Sequence, residues 1–379
     1  MSPTPMTTTL PGMPASYAWE ATDEEIAARY GVAREEIVRF DLNTLPLTPA
    51  YVGELLAAGR FETPLAEYPP GDYGRLVAAA AEAYGVTPAE IVPGAGADEV
   101  LDLCARAFLP PGGRAVVAAP SYAMYRVITE QRPARLLTVP RLGPGQGWAF
   151  DLPALLTAAR EADLVWLCNP NNPTGQVEPA GAIETLLEGL AADVPPGRLP
   201  PAVVLDEAYA EFVGSSLLGL RERYPRLVVV RTASKAYGLA GLRVGFGLGT
   251  VETVARLAVY RPPGSISTIS ATVVAEGLRR AELMRTNVAA IVTERGRLAA
   301  GLEAAGWSVG PSVTNFLAVD FGSPERAGRV AQALLGRGLV PRTFGAGHPF
   351  AGHLRLTVRT PADDDRLIAA ATEITAQEE

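Results

Sequence analysis

Short runs of consecutive apolar residues recur along this chain, separated by longer stretches in which apolar and polar positions are mixed. The runs 115–119 (AVVAA), 136–139, 165–168, 202–205 and 227–230 are too short for helices and read as strands. In 227–230 the apolar positions are consecutive rather than alternate, which predicts a buried strand of a parallel sheet. Between them the pattern predicts helices over about 75–84, 100–108, 151–161 and 181–192. Several carry terminal signals. Thr22 with Glu25 forms a capping box closed by Gly31, and Asp151 caps a helix with Pro153 in its first turn. Strands alternating with helices predict an α/β fold with a mainly parallel, doubly wound sheet.

The rhythm changes at the two ends. Residues 1–15 are rich in Pro and Thr and are expected to be a flexible arm, and 40–49 is extended. Residues 67–74 (EYPPGDYG) form a turn-dense loop. Beyond 262 a long helix over about 282–305 precedes NFLAVDF, a helix, LVPRTF, HLRLTVR and a final helix, the pattern of a smaller α+β domain. The expected organisation is an arm and small-domain segment at 1–45, a large domain at 46–261 and a small C-terminal domain at 262–379.

Composition narrows the function classes. The chain has 379 residues, 48% of them hydrophobic and 20% charged, as in a globular enzyme of two domains. Its 33 Lys and Arg against 41 Asp and Glu give a net charge of -8, which disfavours nucleic acid or an anionic membrane as partner. No apolar run is long enough to cross a membrane, and the cytoplasm is the expected address. Cys104 and Cys168 lie in apolar runs and read as buried thiols; His348 and His353 lack companion ligands, so no metal site is expected.

Three polar stretches follow predicted strands: NPNNPTG at 169–175, DEAY at 206–209, and RTASKAYGLAGLRVG at 231–245. Ligands of doubly wound sheets collect at the carboxyl ends of strands, so the three are expected to form one site. Lys235, set among hydroxyls and glycines with Arg243 eight residues on, suits a carbonyl cofactor that also carries a phosphate.

In this order and spacing the three stretches resemble the fold-type I pyridoxal-phosphate enzymes, the class I/II aminotransferases in particular. The resemblance runs from about Tyr17 to the C-terminus. It implies a large domain with a seven-stranded, mainly parallel sheet and pyridoxal 5'-phosphate as cofactor. Lys235 looks like the Schiff-base lysine that afterwards moves the proton. Asp206 is similar to the carboxylate that pairs with the pyridine nitrogen, and Asn172 and Tyr209 to the donors to the ring's phenolate oxygen. Ser234, Thr232 and Arg243 match the phosphate set, joined by the backbone of Ala97 and Asp98 at a helix start. Tyr122 matches the ring that stacks on the pyridine. Tyr68 matches a tyrosine that reaches a neighbouring subunit's phosphate, which implies a homodimer with shared active sites. Arg355, in HLRLTV, resembles the arginine that clamps the substrate α-carboxylate.

Within that superfamily the chain looks most like the histidinol-phosphate aminotransferase group. The residues that carry this likeness are Tyr17, the segment LNTLPLTP with Asn43, the GAGADE start, Asn315-Phe316 and VPRTF with Arg342. In that group Arg342 and Tyr17 would grip the substrate phosphate. The chain departs from the group at Thr44 and Leu45, at Arg359 where glycine is usual, and in RPPGSIS at 261–267. The implied reaction is a ping-pong exchange between an amino donor, histidinol phosphate first, and 2-oxoglutarate/glutamate. An aromatic or other amino-acid aminotransferase, or a decarboxylase acting on threonine phosphate, are the alternatives. A transcription regulator of the same fold would need a basic DNA-binding domain, for which the segment before Asp41 is too short and too acidic.

Overall fold

The computed structural model describes residues 16–378; the arm expected at 1–15 lies outside them. The chain divides into two compact units. One comprises residues up to Pro46, Pro173–Gln176 and those from Ala289 onward, and the other Leu47–Asn172 with Val177–Val288.

The chain begins, in the smaller unit, with α1 (Asp23–Tyr30) and β1 (Val38–Arg39). The capping box forms as the sequence requires: Thr22 Oγ1 accepts from the Glu25 amide, Glu25 returns a carboxylate oxygen to the Thr22 amide, and Gly31 closes the helix at φ 69°.

The larger unit then runs α2 (Ala50–Ala58), α3 (Gly74–Tyr84), β2 (Ile91–Gly94), α4 (Gly96–Phe108), β3 (Arg114–Ala119), α5 (Met124–Gln131), β4 (Arg135–Pro140) and α6 (Leu152–Ala159). It continues with β5 (Leu164–Cys168), α7 (Ala182–Ala192), β6 (Ala202–Asp206), α8 (Ala210–Val213), β7 (Leu227–Thr232), β8 (Gly245–Leu248), α9 (Val251–Ala258) and α10 (Thr268–Arg279). Its seven strands lie in the order β2-β8-β7-β6-β5-β3-β4. From β7 to β4 all neighbours are parallel, and β8 is antiparallel to both β7 and β2. The sheet is therefore mainly parallel and doubly wound, as expected.

Consecutive apolar residues in its strands serve two cores. Val116, Val165, Leu167, Val203, Leu205 and Val229 pack on one face with α3, α6, α7 and α10. Val117, Leu164, Trp166, Val204, Val228 and Val230 pack on the other with α4 and Val254 and Leu257 of α9. Because side chains alternate between faces, a strand covered on both sides has no polar position to spare.

The sequence reading differs from the structure at the start of this unit. β2 was not expected, since Pro93 sits inside it; it is an edge strand, where a missing amide is tolerated. The helix expected from residue 100 begins at Gly96, so its first turn contains the glycine–alanine segment itself. Residues 262–288, expected with the C-terminal domain, group with the larger unit, where α10 lies along α3.

The remaining elements are α11 (Ala281–Ala304), β9 (Ser308–Val309), β10 (Phe316–Asp320), α12 (Pro324–Leu335), β11 (Leu339–Val340), β12 (His353–Thr357) and α13 (Pro361–Glu378). In the smaller unit β12, β10 and β9 form an antiparallel sheet, and β1 pairs in parallel with β11. Among the described residues no helix is long and apolar enough to cross a membrane.

Candidate active site

Asp206 ends β6, the middle strand of the seven, and is 3% exposed. Both of its oxygens are engaged. Oδ2 accepts from the Tyr125 hydroxyl at 2.8 Å, and Oδ1 accepts from the Ala208 amide at 3.0 Å. Burial pushes the Asp206 carboxyl up to about 6; the two hydrogen bonds and the nearby Lys235 cation oppose that rise, while the Asp98 anion adds to it. A carboxyl in this balance is poised to respond to a cation brought against it.

Lys235 lies in the turn that follows β7, the next strand over. The turn is closed by the Gly238 amide donating to the Lys235 carbonyl at 3.0 Å, with Gly238 at φ 71°, a conformation that suits glycine. The Lys235 ammonium stands 5.8 Å from the centroid of the Tyr209 ring, and Tyr209 itself is 3% exposed. Asn172, buried, closes the same group of strand ends from β5. The adjoining loops are tied together: Ser121 Oγ donates to Asn171 Oδ1 at 3.0 Å and Asn171 Nδ2 to the Pro120 carbonyl at 3.2 Å.

A second group forms at the start of α4. Arg243, at φ 51°, directs Nη2 to Asp98 Oδ2 at 3.1 Å and Nη1 to the Ala240 carbonyl at 3.2 Å. Tyr122 donates to the other Asp98 oxygen at 2.9 Å. The first-turn amides of α4, at Gly96, Ala97 and Asp98, therefore lie beside a guanidinium, an arrangement that suits an anion of several oxygens. The close approach depends on missing side chains: a Cβ on Gly96 would overlap the Arg243 guanidinium, and one on Gly245 would come within 2.5 Å of the Ala97 nitrogen. Ser234 and Thr232 are both buried here. The Thr232 hydroxyl accepts from the Ser234 amide at 3.1 Å and donates to the Val244 carbonyl at 3.3 Å, which shapes the lysine turn.

The loop bearing Tyr122 is anchored from beneath. Arg141 and Glu178, with side chains only 2% and 4% exposed, pair at 2.5 Å; Arg141 Nε also donates to the Pro120 carbonyl, and Glu178 accepts from the Phe150 amide. Tyr68 lies outside this group and is 91% exposed.

The remaining candidates belong to the smaller unit. Arg355 sits on β12, opposite Ala318 of β10, with its guanidinium over the Phe316 ring at 5.3 Å and donating to the Asp41 carbonyl. Its backbone exchanges hydrogen bonds with that of Arg342, N to O at 3.0 and 3.1 Å. Arg342 in turn lies 5.3 Å from the Tyr17 ring centroid, donates to the Ala18 carbonyl and approaches Glu20 at 3.6 Å. Asn43, at φ 52°, donates its backbone N–H to Thr357 Oγ1 at 2.9 Å, and its side-chain oxygen accepts from that hydroxyl at 3.2 Å. Tyr17, Arg342, Arg355 and Asn43 are thus brought to one side-by-side set around β12. Arg359 reaches Thr44 Oγ1 at 3.3 Å, so two of the departures from the resembled group touch each other.

Two residues of the larger group had not been singled out. Tyr125 carries the hydrogen bond to Asp206, and its signal was present: in PSYAMY it stands three residues after Tyr122, in the first turn of α5, with its amide donating to the Tyr122 carbonyl at 3.3 Å. The Asp98 side chain joins Tyr122 to Arg243, whereas only its backbone had been considered.

The comparisons with known proteins agree with this geometry. The family model described as "Aminotransferase class I and II" matches residues 52–370. The chain is 36% identical over 351 residues to a histidinol-phosphate aminotransferase of Symbiobacterium thermophilum, covering 92% of each chain. It is 38% identical over 317 residues to one of Xylella fastidiosa, covering 82% of this chain and 84% of the relative. Among solved structures, histidinol-phosphate aminotransferase from Sinorhizobium meliloti in complex with pyridoxal-5'-phosphate superposes with a TM-score of 0.83 at 28% identity, covering 96% of both chains. The chain belongs to the class I and II aminotransferase family.

Proposed function

We propose that this aminotransferase takes an amino group from histidinol phosphate and passes it to 2-oxoglutarate in two successive half-reactions, with pyridoxal 5'-phosphate as cofactor. The observation that carries the reading is the placement of a buried carboxylate, Asp206, and of Lys235 at the ends of adjacent strands, beside the first-turn amides of α4 and the Arg243 guanidinium. The bare Cα atoms of Gly96 and Gly245 let the Arg243 guanidinium and the β8 backbone close up on the first turn of α4, and the donors gathered there are those a phosphate needs.

In this reading Arg243, Ser234 and the amides of Ala97 and Asp98 hold the phosphate, Thr232 shapes the turn beneath it, and Tyr122 covers the ring face. Asn172 and Tyr209 donate to the ring oxygen. When bound, the cofactor supplies an electron sink for the charge that develops on the amino-bearing carbon. The buried Asp206 would face the ring nitrogen, and its anion would favour that nitrogen's protonated form. The Lys235 amine would take up the proton from the amino-bearing substrate carbon, a transfer worth about 10²–10⁴ in rate. Arg355 receives the carboxylate of the keto acid as a bidentate pair, and Arg342 with Tyr17 receives the donor's phosphate, helped by Asn43 on the same strand set.

The name borne by relatives at 36% and 38% identity supports this donor. We also read the chain as a cytoplasmic homodimer in which Tyr68 serves the partner's site. The exposure of Tyr68, Leu65 and Val259 supports that assembly, since large hydrophobics in number on a surface favour a partner.

The test is a single-turnover absorbance experiment on cofactor-loaded protein with histidinol phosphate, phenylalanine, threonine phosphate and glutamate. Fast discharge by histidinol phosphate, with phenylalanine far slower, is the expected result. Discharge by phenylalanine with histidinol phosphate inert would retain the transaminase and reject the donor. Amine and CO₂ released from threonine phosphate would replace the reaction by decarboxylation. Lys235→Ala should retain the fold and lose multiple turnover; sustained turnover would reject the role of Lys235.

A further inference from the structure

Asp206 is held by more than its own strand. Tyr125, on α5, is 1% exposed and donates its hydroxyl to Asp206 Oδ2 at 2.8 Å. Its ring stacks on Trp166 with centroids 5.3 Å apart and planes 9° from parallel, and meets Tyr122 edge-on at 5.6 Å. Trp166 is fixed in turn by its indole N–H, which donates to Thr129 Oγ1 at 3.0 Å one turn further along α5. The phenol is thus locked by a ring stack whose second member is itself hydrogen-bonded, so its donor direction is set before any ligand arrives.

An ionised carboxylate only accepts hydrogen bonds, and a phenol placed this way only serves the anion as donor. The groups that face Asp206 are Tyr125 from α5, Lys235 from the turn after β7, Asp98 from α4 and Cys168 from β5. Of these Lys235 favours the anion by charge, and Asp98 opposes it. Lys235 is the residue assigned above to the reaction itself, so its charge varies during turnover. The Tyr125 hydroxyl and the Ala208 amide are the contributions that stay constant.

We propose that Tyr125 is a positioning residue for the reaction: its hydroxyl keeps Asp206 ionised and aimed, so that a carboxylate rather than a carboxylic acid meets the cofactor's ring nitrogen. The proposal rests on the reading that Asp206 pairs with that nitrogen. Burial, together with the adjoining Asp206 anion, holds the Tyr125 phenol well above its ordinary range, so it is a donor from pH 5 to 9. A hydrogen bond to the charged form of a carboxyl favours that form; its loss moves the ionisation to higher pH.

The experiment measures binding of pyridoxal phosphate by the absorbance of the bound cofactor, from pH 5 to 9, in the wild-type chain and in Tyr125→Phe. The phenylalanine ring keeps the stack on Trp166 and removes only the hydroxyl. The acid limb of binding is expected to move up by about one pH unit, with affinity about tenfold weaker near pH 6 and unchanged within about twofold at pH 9. A uniform loss at all pH values would mean a packing role and overturn the proposal, as would an unmoved limb. In the Asp206→Asn background Tyr125→Phe should shift nothing; a persisting shift would assign the limb to another group and overturn it too. Should Tyr125→Phe fold poorly, Tyr125→3-fluorotyrosine, a stronger donor of nearly the same shape, is expected to move the limb down, and no downward shift counts against the proposal. If the wild-type chain binds no pyridoxal phosphate, the functional reading fails first and takes this inference with it. If it binds and transaminates while the limb stays fixed, only the role of Tyr125 is lost.

Discussion

The Arg243 guanidinium occupies the space that a Cβ on Gly96 would need. Gly96 also sits at φ 84°, where a side chain is strained whatever the room. Gly96→Ala is therefore expected to displace Arg243 from the start of α4 and to cost about 1–3 kcal/mol in stability. Pyridoxal phosphate should bind at least about tenfold more weakly, since a charge-assisted contact is lost. Equilibrium dialysis with urea unfolding checks both; undiminished binding would show that Arg243 is not held to the phosphate by this glycine.

Asp206 carries a stability cost whose sign is set by pH. Its folded value of about 6 lies above the ordinary 3.8, so the folded chain binds more protons than the unfolded chain between those limits. Stability of the cofactor-free protein should fall as pH rises from 4 to 6 and then level off, a loss of about 3 kcal/mol from this group. Asp206→Asn lacks the titration. The variant's stability relative to wild type should rise by roughly that amount between pH 4 and pH 7. Urea unfolding across the range measures it; a flat difference would place the Asp206 ionisation elsewhere.

Arg342 is held through its backbone by Arg355 and through its side chain by Ala18 and Glu20. If it grips a phosphate, Arg342→Gln should lower kcat/KM for histidinol phosphate by about 10²-fold or more, the worth of a charged hydrogen-bonded contact. The rate with a phosphate-free donor should change far less. Equal losses on both donors would reduce Arg342 to a structural residue.

The Arg141–Glu178 pair lies under the loop that carries Tyr122. Glu178→Ala leaves a buried guanidinium without its counter-charge and is expected to cost about 3–5 kcal/mol. Replacing both residues at once, as Arg141→Met with Glu178→Leu, should recover much of that loss. Calorimetry on the single and double variants decides it.

Much of this was legible in the residues. Both-face burial made 165–168, 202–205 and 227–230 readable as strands, because only a covered parallel sheet has use for four or five apolar residues in a row. The Thr22 capping box and the Asp151 cap formed as local chemistry requires. What failed was decided by partners distant in sequence. β2 is a strand because Phe246 and Gly247 pair with Pro93 and Val92, which no local pattern around a proline announces. α10 opens TISATVV, rich in β-branched residues, and is helical because it packs along α3. Tyr125 drew no reading from the sequence; it is a buried aromatic, and only the position of Asp206 turns its hydroxyl into part of the site.

The antiparallel pairing of β7 with β8, with Thr232 opposite Gly245, has a consequence for how such a chain can change over time. The lysine and the arginine sit on one closed hairpin, so neither can be repositioned without the other. Substitutions at positions of this stretch other than Ser234, Lys235, Gly238 and Arg243 change one side chain at a time, but an insertion or deletion between the lysine and the arginine would alter the spacing of the two cationic groups. Outside those four residues the stretch should tolerate drift in letters and none in length, while loops that close no such hairpin stay open to both.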